Sequence, residues 1–135
     1  MPANGGEAVQ ITHKGAFAPM ASPDGRWIYY SKDFGIWKVP VDGGAETEVV
    51  ADHSLYDVFG FWVTASGIYF APKRDPASGT WPLKLYRFAD GKTVEVGRFD
   101  RAPALHIGIS PDEKWLLYTQ LDSSVDDLML VENFR

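Results

Sequence analysis

Short apolar and aromatic runs recur along the chain, and residues that favour turns separate them. Residues 27–31 and 67–71 are two such runs; Asp24-Gly25 lies shortly before the first, and Ser66 directly precedes the second. Apolar, aromatic segments bounded by turn residues are typical of β-strands. Aromatic residues make up 14% of the chain, which further favours pleated strands over helices. The pattern therefore predicts an all-β protein built from many short strands.

One turn-and-strand motif occurs twice in the sequence. The segment from Ser22 to Tyr30 matches the segment from Ser110 to Tyr118, 88 residues later, and a degenerate copy covers residues 64–70. In Ser-Pro-Asp-Gly, proline presets φ for the first corner, aspartate bonds back to nearby amides, and glycine accepts a positive φ. Two steps of 44 residues fit the roughly 40–45 residues of a four-stranded propeller blade.

A glycine-rich motif repeats with a similar period. Asn4-Gly5-Gly6 and Asp42-Gly43-Gly44 are 38 residues apart, and a degenerate copy follows Phe88. Asn-Gly and Asp-Gly are strong signals for two-residue hairpin turns. We therefore expect a tight hairpin at Asp42-Gly43, between the third and fourth strands of a sheet.

These motifs predict about three four-stranded antiparallel units. Their bounds are residues 16–51, 57–97 and 104–135. The predicted strands are 17–21, 27–31, 36–41 and 47–50 in the first unit, 58–63, 67–71, 83–88 and 93–96 in the second, and 105–109, 115–119 and 127–131 in the third. The second strand of each unit is nearly all apolar, so we expect both of its faces to be covered. Trp27, Tyr30, Trp115 and Tyr118 are predicted to pack in the core.

The recurring residues resemble the WD40-like (PD40) repeat of TolB-type β-propellers. The resemblance rests on residues 10–12, 22–25, 27–30 and 42–44, and the ending 127–135 is similar to the C-terminus of large bacterial proteins. In those proteins such repeats follow a kinase-like or winged-helix region, which would make this chain a C-terminal fragment. The resemblance implies a propeller fold, protein–protein interaction and a periplasmic or extracytoplasmic location.

The strand count suggests how the ring closes. Residues 8–12 read as an outer strand without a sheet of its own, and the unit 104–135 lacks an outer strand. Three blades are too few for a ring of typically four to eight. We therefore expect two chains to form a six-bladed ring head to tail, with the N-terminal strand of each completing the last blade of the other. The rival interpretation is that the chain is the tail of a longer propeller.

Composition excludes several kinds of function. The formal net charge of −5 and the absence of a basic run argue against nucleic-acid binding. No cysteine is present, so neither disulfides nor cysteine-based zinc sites are possible. No apolar run approaches the roughly 18 residues of a membrane span, and the first residues do not resemble a signal peptide. No motif calls for a cofactor or a metal.

Four residues are binding candidates. His106 and Asp57 are placed where inner strands could line a central channel, and imidazole and carboxylate groups can hold cations there. Arg74 and Trp81 belong to a connection longer than its counterparts, and long loops often carry recognition. The alternative for His106 and Asp57 is a structural or solvent-facing role. The alternative for Arg74 and Trp81 is that their loop is an insertion without a function.

No catalytic residue is predicted. Gly108-Ile109-Ser110-Pro111 lacks the glycine that a nucleophile elbow needs after its serine, and Ser22 and Ser110 recur as turn residues. The leading hypothesis is a non-catalytic scaffold that binds an unknown protein. The alternative is a regulatory or gating propeller segment of a larger enzyme, such as a kinase or a prolyl-oligopeptidase-type hydrolase. A third, weaker possibility is a small-molecule or lectin-like carbohydrate site built on Trp81 and channel residues.

Overall fold

The computed structural model describes residues 5–51 and 60–120, and only the backbone of residues 104–106. This part of the chain has ten β-strands and no helix, so the expected all-β class is confirmed. The strands form antiparallel sheets of four, four and two strands. The first sheet contains β1 (Phe17–Ala21), β2 (Trp27–Lys32), β3 (Gly35–Pro40) and β4 (Thr47–Val50); the second contains β5 (Phe61–Val63), β6 (Gly67–Phe70), β7 (Trp81–Arg87) and β8 (Thr93–Phe99); the third contains β9 (Pro103–Ile109) and β10 (Leu116–Gln120).

Within each four-stranded sheet the strands follow one another in chain order. β2 and β3 pair without interruption from Trp27↔Pro40 to Lys32↔Gly35, so their connection is the two-residue turn Asp33-Phe34. Both turn residues have positive φ, 51° and 61°, which is the conformation of a type I′ hairpin. The sequence did not reveal this turn, because neither residue is the glycine that usually marks it.

The connection between β3 and β4 differs from the prediction. Gly43 does adopt a positive φ of 84°, and its amide donates to the carbonyl oxygen of Pro40. However, the whole segment from residue 41 to residue 46 separates the two strands, so the predicted two-residue hairpin at Asp42-Gly43 is wrong. Gly44, at φ 133°, continues the loop because two consecutive glycines allow a wider excursion.

Successive sheets pack face to face through side chains. We call the face of a sheet that points toward the next sheet in the chain its front, and the opposite face its rear. The first junction is a core cluster between the front of the first sheet and the rear of the second, formed by Tyr29, Ile36, Val50, Phe61, Val63, Ile68 and Phe70. The second junction contains Ala71, Leu83, Phe99 and Ile107. It joins the second sheet to the third.

The third sheet corrects one prediction. All five residues of β10 are exposed, including Leu117 at 78%, and the preceding Trp115 is 75% exposed. The prediction that Trp115 and Tyr118 lie in the core is wrong for Trp115, and Tyr118, 41% exposed, is only partly covered. The physical reason is that the front of this sheet has no further sheet packed against it in the described chain.

Three expectations are not tested by this architecture. Residues 8–12 belong to no sheet of the described chain, and the proposed pairing of this segment with another chain stays a prediction. The predicted strand 127–131 lies outside the described residues. The predicted limits of the three units likewise stay predictions.

Candidate functional site

The two serine turns are built identically. Ser22 Oγ donates to Asp24 Oδ1 (2.5 Å) and accepts from the Trp27 amide (3.0 Å), and the Gly25 amide donates to the Ser22 carbonyl oxygen (2.9 Å). The hydrogen bond from Ser22, helped by the Arg26 amide, lowers the pKa of the Asp24 carboxyl. These partners hold the hydroxyl of Ser22 within the turn.

The copy at residues 110–115 repeats the same bonds with one substitution. Ser110 Oγ donates to Asp112 Oδ1 (2.5 Å) and accepts from the Trp115 amide (3.0 Å). Glu113 takes the place of Gly25 and keeps a positive φ of 57°, a conformation costly for residues other than glycine. The repeat predicted from the sequence therefore extends to individual hydrogen bonds.

The Glu113 side chain bridges two sheets. Its Oε2 accepts from Ser66 Oγ (2.5 Å) and Tyr69 Oη (3.2 Å), and its Oε1 accepts from the Ser66 amide (3.3 Å). Burial by itself would raise the pKa of this carboxyl, but the hydrogen bonds, led by that from Ser66, outweigh it and lower the pKa. The turn of the third sheet is thereby attached to the second sheet by polar contacts.

An aromatic groove opens at the first junction, beside the serine turn. It encloses about 430 Å³ and is lined by residues of both sheets, among them Asp24, Trp27, Lys38, Tyr86 and Phe88. We call it the junction groove. The Phe88 ring stacks on Tyr29 (centroids 5.8 Å apart) and meets Tyr86 edge-on (6.2 Å). A ring that is 38% exposed at this position offers apolar contact area to a bound molecule.

Charges of both signs flank the aromatic rings of the groove. Lys38 Nζ lies 4.1 Å from the centroid of the Trp27 ring, which is a cation–π contact. Asp24 lines the same groove and keeps a lowered pKa, so it is ionised at neutral pH. Ligand sites commonly combine an apolar lining with a few placed polar groups. The junction groove has this composition.

The long connection between β6 and β7 is held by its own hydrogen bonds. Asp75 is the centre: its Oδ1 accepts from the Ala77 amide (3.0 Å), and its Oδ2 accepts from Ser78 Oγ (2.8 Å) and Arg98 Nη1 (3.1 Å). Together these contacts, led by that from Ser78, lower the pKa of Asp75 to about 2. The connection is thus an ordered loop fastened to β8.

The predicted binding residues Arg74 and Trp81 contact each other where this loop leads into β7. The Arg74 guanidinium carbon lies 5.4 Å from the Trp81 ring centroid, and Arg74 Nε donates to the Gly79 carbonyl oxygen (2.8 Å). Trp81 is half-buried and packs against the cluster of the second junction. The guanidinium and the indole are therefore engaged with each other, and the indole also supports the core.

The other two predicted binding residues are His106 and Asp57. His106 lies in β9, and only its backbone is described. Asp57 lies outside the described residues. Their proposed roles at a channel mouth stay predictions.

A second polar cluster lies on the rear of the first sheet. Lys32 Nζ donates to Glu46 Oε2 (2.6 Å) and also lies 4.4 Å from the centroid of the Trp37 ring. The His13 amide donates to Glu46 Oε1 (3.3 Å), which fastens the N-terminal segment there. These hydrogen bonds, led by that from Lys32, lower the pKa of Glu46 to about 2, and burial, with the Glu46 carboxylate, raises the pKa of Tyr30.

The described ranges contain neither a group of metal-ligating side chains nor a membrane-spanning helix. Among residues 5–51 and 60–120, no three histidine or acidic side chains are grouped so that they could hold a metal ion. Over the same ranges, the chain has no helix with the length and hydrophobicity of a membrane span.

Comparisons with known proteins identify no relative. No family model, no curated protein and no solved structure matches the chain. The geometry of the chain itself must therefore carry any functional conclusion.

Sequence reasoning did not find the junction groove. It assigned Trp27 to core packing and gave Tyr86 and Phe88 no role, because each was considered only within its own strand. The one available signal was Phe88, an aromatic residue directly after a strand and next to the turn Asp90-Gly91, where a solvent-facing position is expected.

Proposed function

We propose that the sheets are blades of a β-propeller of the WD40-like, TolB type, and that the protein is a non-catalytic scaffold for binding another protein. Two features support the propeller. Successive sheets stack in chain order through apolar faces, and the same serine turn connects the first two strands of the first and third sheets. Face-to-face packing of repeated antiparallel sheets is the architecture of propellers and related repeats.

The junction groove is the observation that carries the binding proposal. Aromatic side chains are enriched where proteins bind one another, because they supply large contact areas with few rotamers to fix. Here they line the groove together with a cation, Lys38, and a carboxylate, Asp24. A peptide segment with an apolar anchor and flanking polar groups matches this lining.

The chemistry of the turns agrees with a binding role. Ser22 is hydrogen-bonded to a carboxylate and to a backbone amide. Ser110 is held in the same way. A serine nucleophile requires an adjacent general base such as histidine, whereas these hydroxyls shape a turn.

A selection experiment tests the proposal. A random peptide library displayed on phage is selected against the purified chain, and the affinity of an enriched peptide is measured by calorimetry for the wild type and two variants. We expect Phe88→Ser to weaken binding by about tenfold or more, because an exposed anchor ring is lost. Val96→Ser, an equally exposed apolar residue outside the groove, is the control and should bind as the wild type does.

Two outcomes would overturn the proposal. Either no peptide is enriched, or the enriched peptides bind the Phe88→Ser variant as tightly as the wild type. Circular dichroism of each variant establishes that the sheets are intact before affinities are compared.

A further inference from the structure

The internal repeat shows what the open front of the third sheet is built to contact. Trp27 and Trp115 occupy the same position after the serine turn, and Tyr29 corresponds to Leu117. Tyr29 is only 5% exposed, because it is buried in the first junction, and Trp27 packs against the same cluster. Trp115 and Leu117, at the equivalent positions, are 75% and 78% exposed. The front of the third sheet therefore continues the series of sheet-to-sheet junctions, but no further sheet among the described residues packs against it.

The same comparison identifies a matching surface at the other end of the series. In the first junction, Tyr29 meets the rear of the second sheet, where Val63 and Ile68 form the last pair before a turn. In the first sheet the corresponding pair is Ala21 and Ile28.

This pair lies on the rear of its sheet. Ala21 is exposed and Ile28 is half-buried, and Pro19, two residues before Ala21 on the same strand, is exposed as well. The chain thus carries an exposed apolar front on its third sheet and an apolar surface on the rear of the inner strands of its first sheet. The rest of that rear holds the Lys32–Glu46 cluster and the fully buried Tyr30.

We propose that the front of the third sheet binds the inner strands of the first sheet of a second copy, so that two copies associate head to tail. We choose a second copy as the partner because this contact would repeat the packing of the first sheet on the second, which the chain already contains. Two such contacts, related by a twofold axis, close a dimer. The proposal goes beyond the protein-binding function, because it involves neither the junction groove nor its ligand.

Sedimentation velocity measures the association directly. The wild-type chain should sediment at micromolar concentration as a particle of twice the 15.0 kDa of one chain. Leu117→Asp places a charge at the centre of the contact and should weaken dimerisation at least about thirtyfold. The control is Phe34→Asn, which removes a ring that is 56% exposed in a turn and should leave the mass unchanged.

Disulfide trapping distinguishes the geometry. Since the chain has no cysteine, single variants Leu117→Cys and Ala21→Cys can be mixed and oxidised without background reaction. A mixed 117–21 disulfide supports the head-to-tail contact. A monomeric wild type, a predominant 117–117 disulfide, or a Leu117→Asp variant that remains dimeric would overturn it. Peptide binding at the junction groove is measured separately, so either proposal can fail without the other.

Discussion

Glu113 offers a direct test of how a polar contact offsets backbone strain. The residue holds a positive φ of 57° in a turn whose counterpart contains Gly25 at φ 69°. A left-handed conformation costs a residue with a Cβ about 1–2 kcal/mol. Hydrogen bonds to a charged group contribute about 1.5–3 kcal/mol when buried, and less when partly exposed. The bonds from Ser66 and Tyr69, reduced by their partial exposure, together contribute about 2 kcal/mol, which is comparable with the strain.

Three variants separate the two effects. Glu113→Ala keeps the strain and loses the bridge, so its free energy of unfolding should fall by about 2 kcal/mol. Glu113→Gly loses the bridge and relieves the strain, so it should be about 1 kcal/mol more stable than the alanine variant. Gly25→Ala adds strain at the equivalent turn, where nothing lies within 4 Å of the new Cβ, and should cost about 1 kcal/mol.

Urea denaturation at neutral pH, followed by tryptophan fluorescence, provides these free energies. Because the pKa of Glu113 is lowered on folding, its ionised form stabilises the fold above the unfolded pKa near 4.5, and this contribution is lost as the pH falls through the folded value. The difference between the wild type and Glu113→Gln should accordingly shrink on acidification below about pH 4.5. Equal stabilities of the alanine and glycine variants, or a wild type no more stable than Glu113→Ala, would refute the reasoning.

Three further substitutions test other parts of the structure. Gly79→Ala should cost about 1–2 kcal/mol of unfolding free energy and alter tryptophan emission, because the residue has a φ of 71° and its Cβ would lie 2.9 Å from the Arg74 guanidinium; Gly97→Ala, without such a φ, is the control. Phe70→Ala, at a fully buried position of the first junction, should cost about 3–5 kcal/mol in thermal or urea denaturation. The carboxyl of Glu46 should titrate near pH 2 by carbon-13 NMR, and Lys32→Met should return its pKa toward 4.5; an unchanged value would contradict the ion pair.

The parts of the fold that follow from local rules were predictable from the sequence. Strands 17–21 and 47–50 appear at the predicted bounds, because turn residues flank them and neighbouring strands continue their register. The Ser22 and Ser110 turns form as expected, since proline, aspartate and a left-handed residue specify them locally.

Features set by long-range contacts were not predictable in the same way. Whether Trp115 is covered depends on the presence of another sheet, and the residues that follow it are as apolar as those that follow Trp27. The junction groove arises because Phe88, at the end of the second sheet, stacks on Tyr29 of the first sheet. These two residues lie far apart in the sequence. The Asp33-Phe34 hairpin was missed because bulky residues rarely adopt positive φ.

The sheets of the described chain are connected by side chains, and no backbone hydrogen bond runs from one sheet to the next. Separating two neighbours therefore breaks no ladder of amides; it exposes apolar rings and releases a few contacts such as that of the Val63 amide with Met20 Sδ (3.1 Å). Each four-stranded sheet can then behave as a cooperative unit coupled to its neighbours, as in linear repeat proteins. Mechanical stretching or mild denaturant would be expected to part the molecule along these seams first, leaving every hairpin intact.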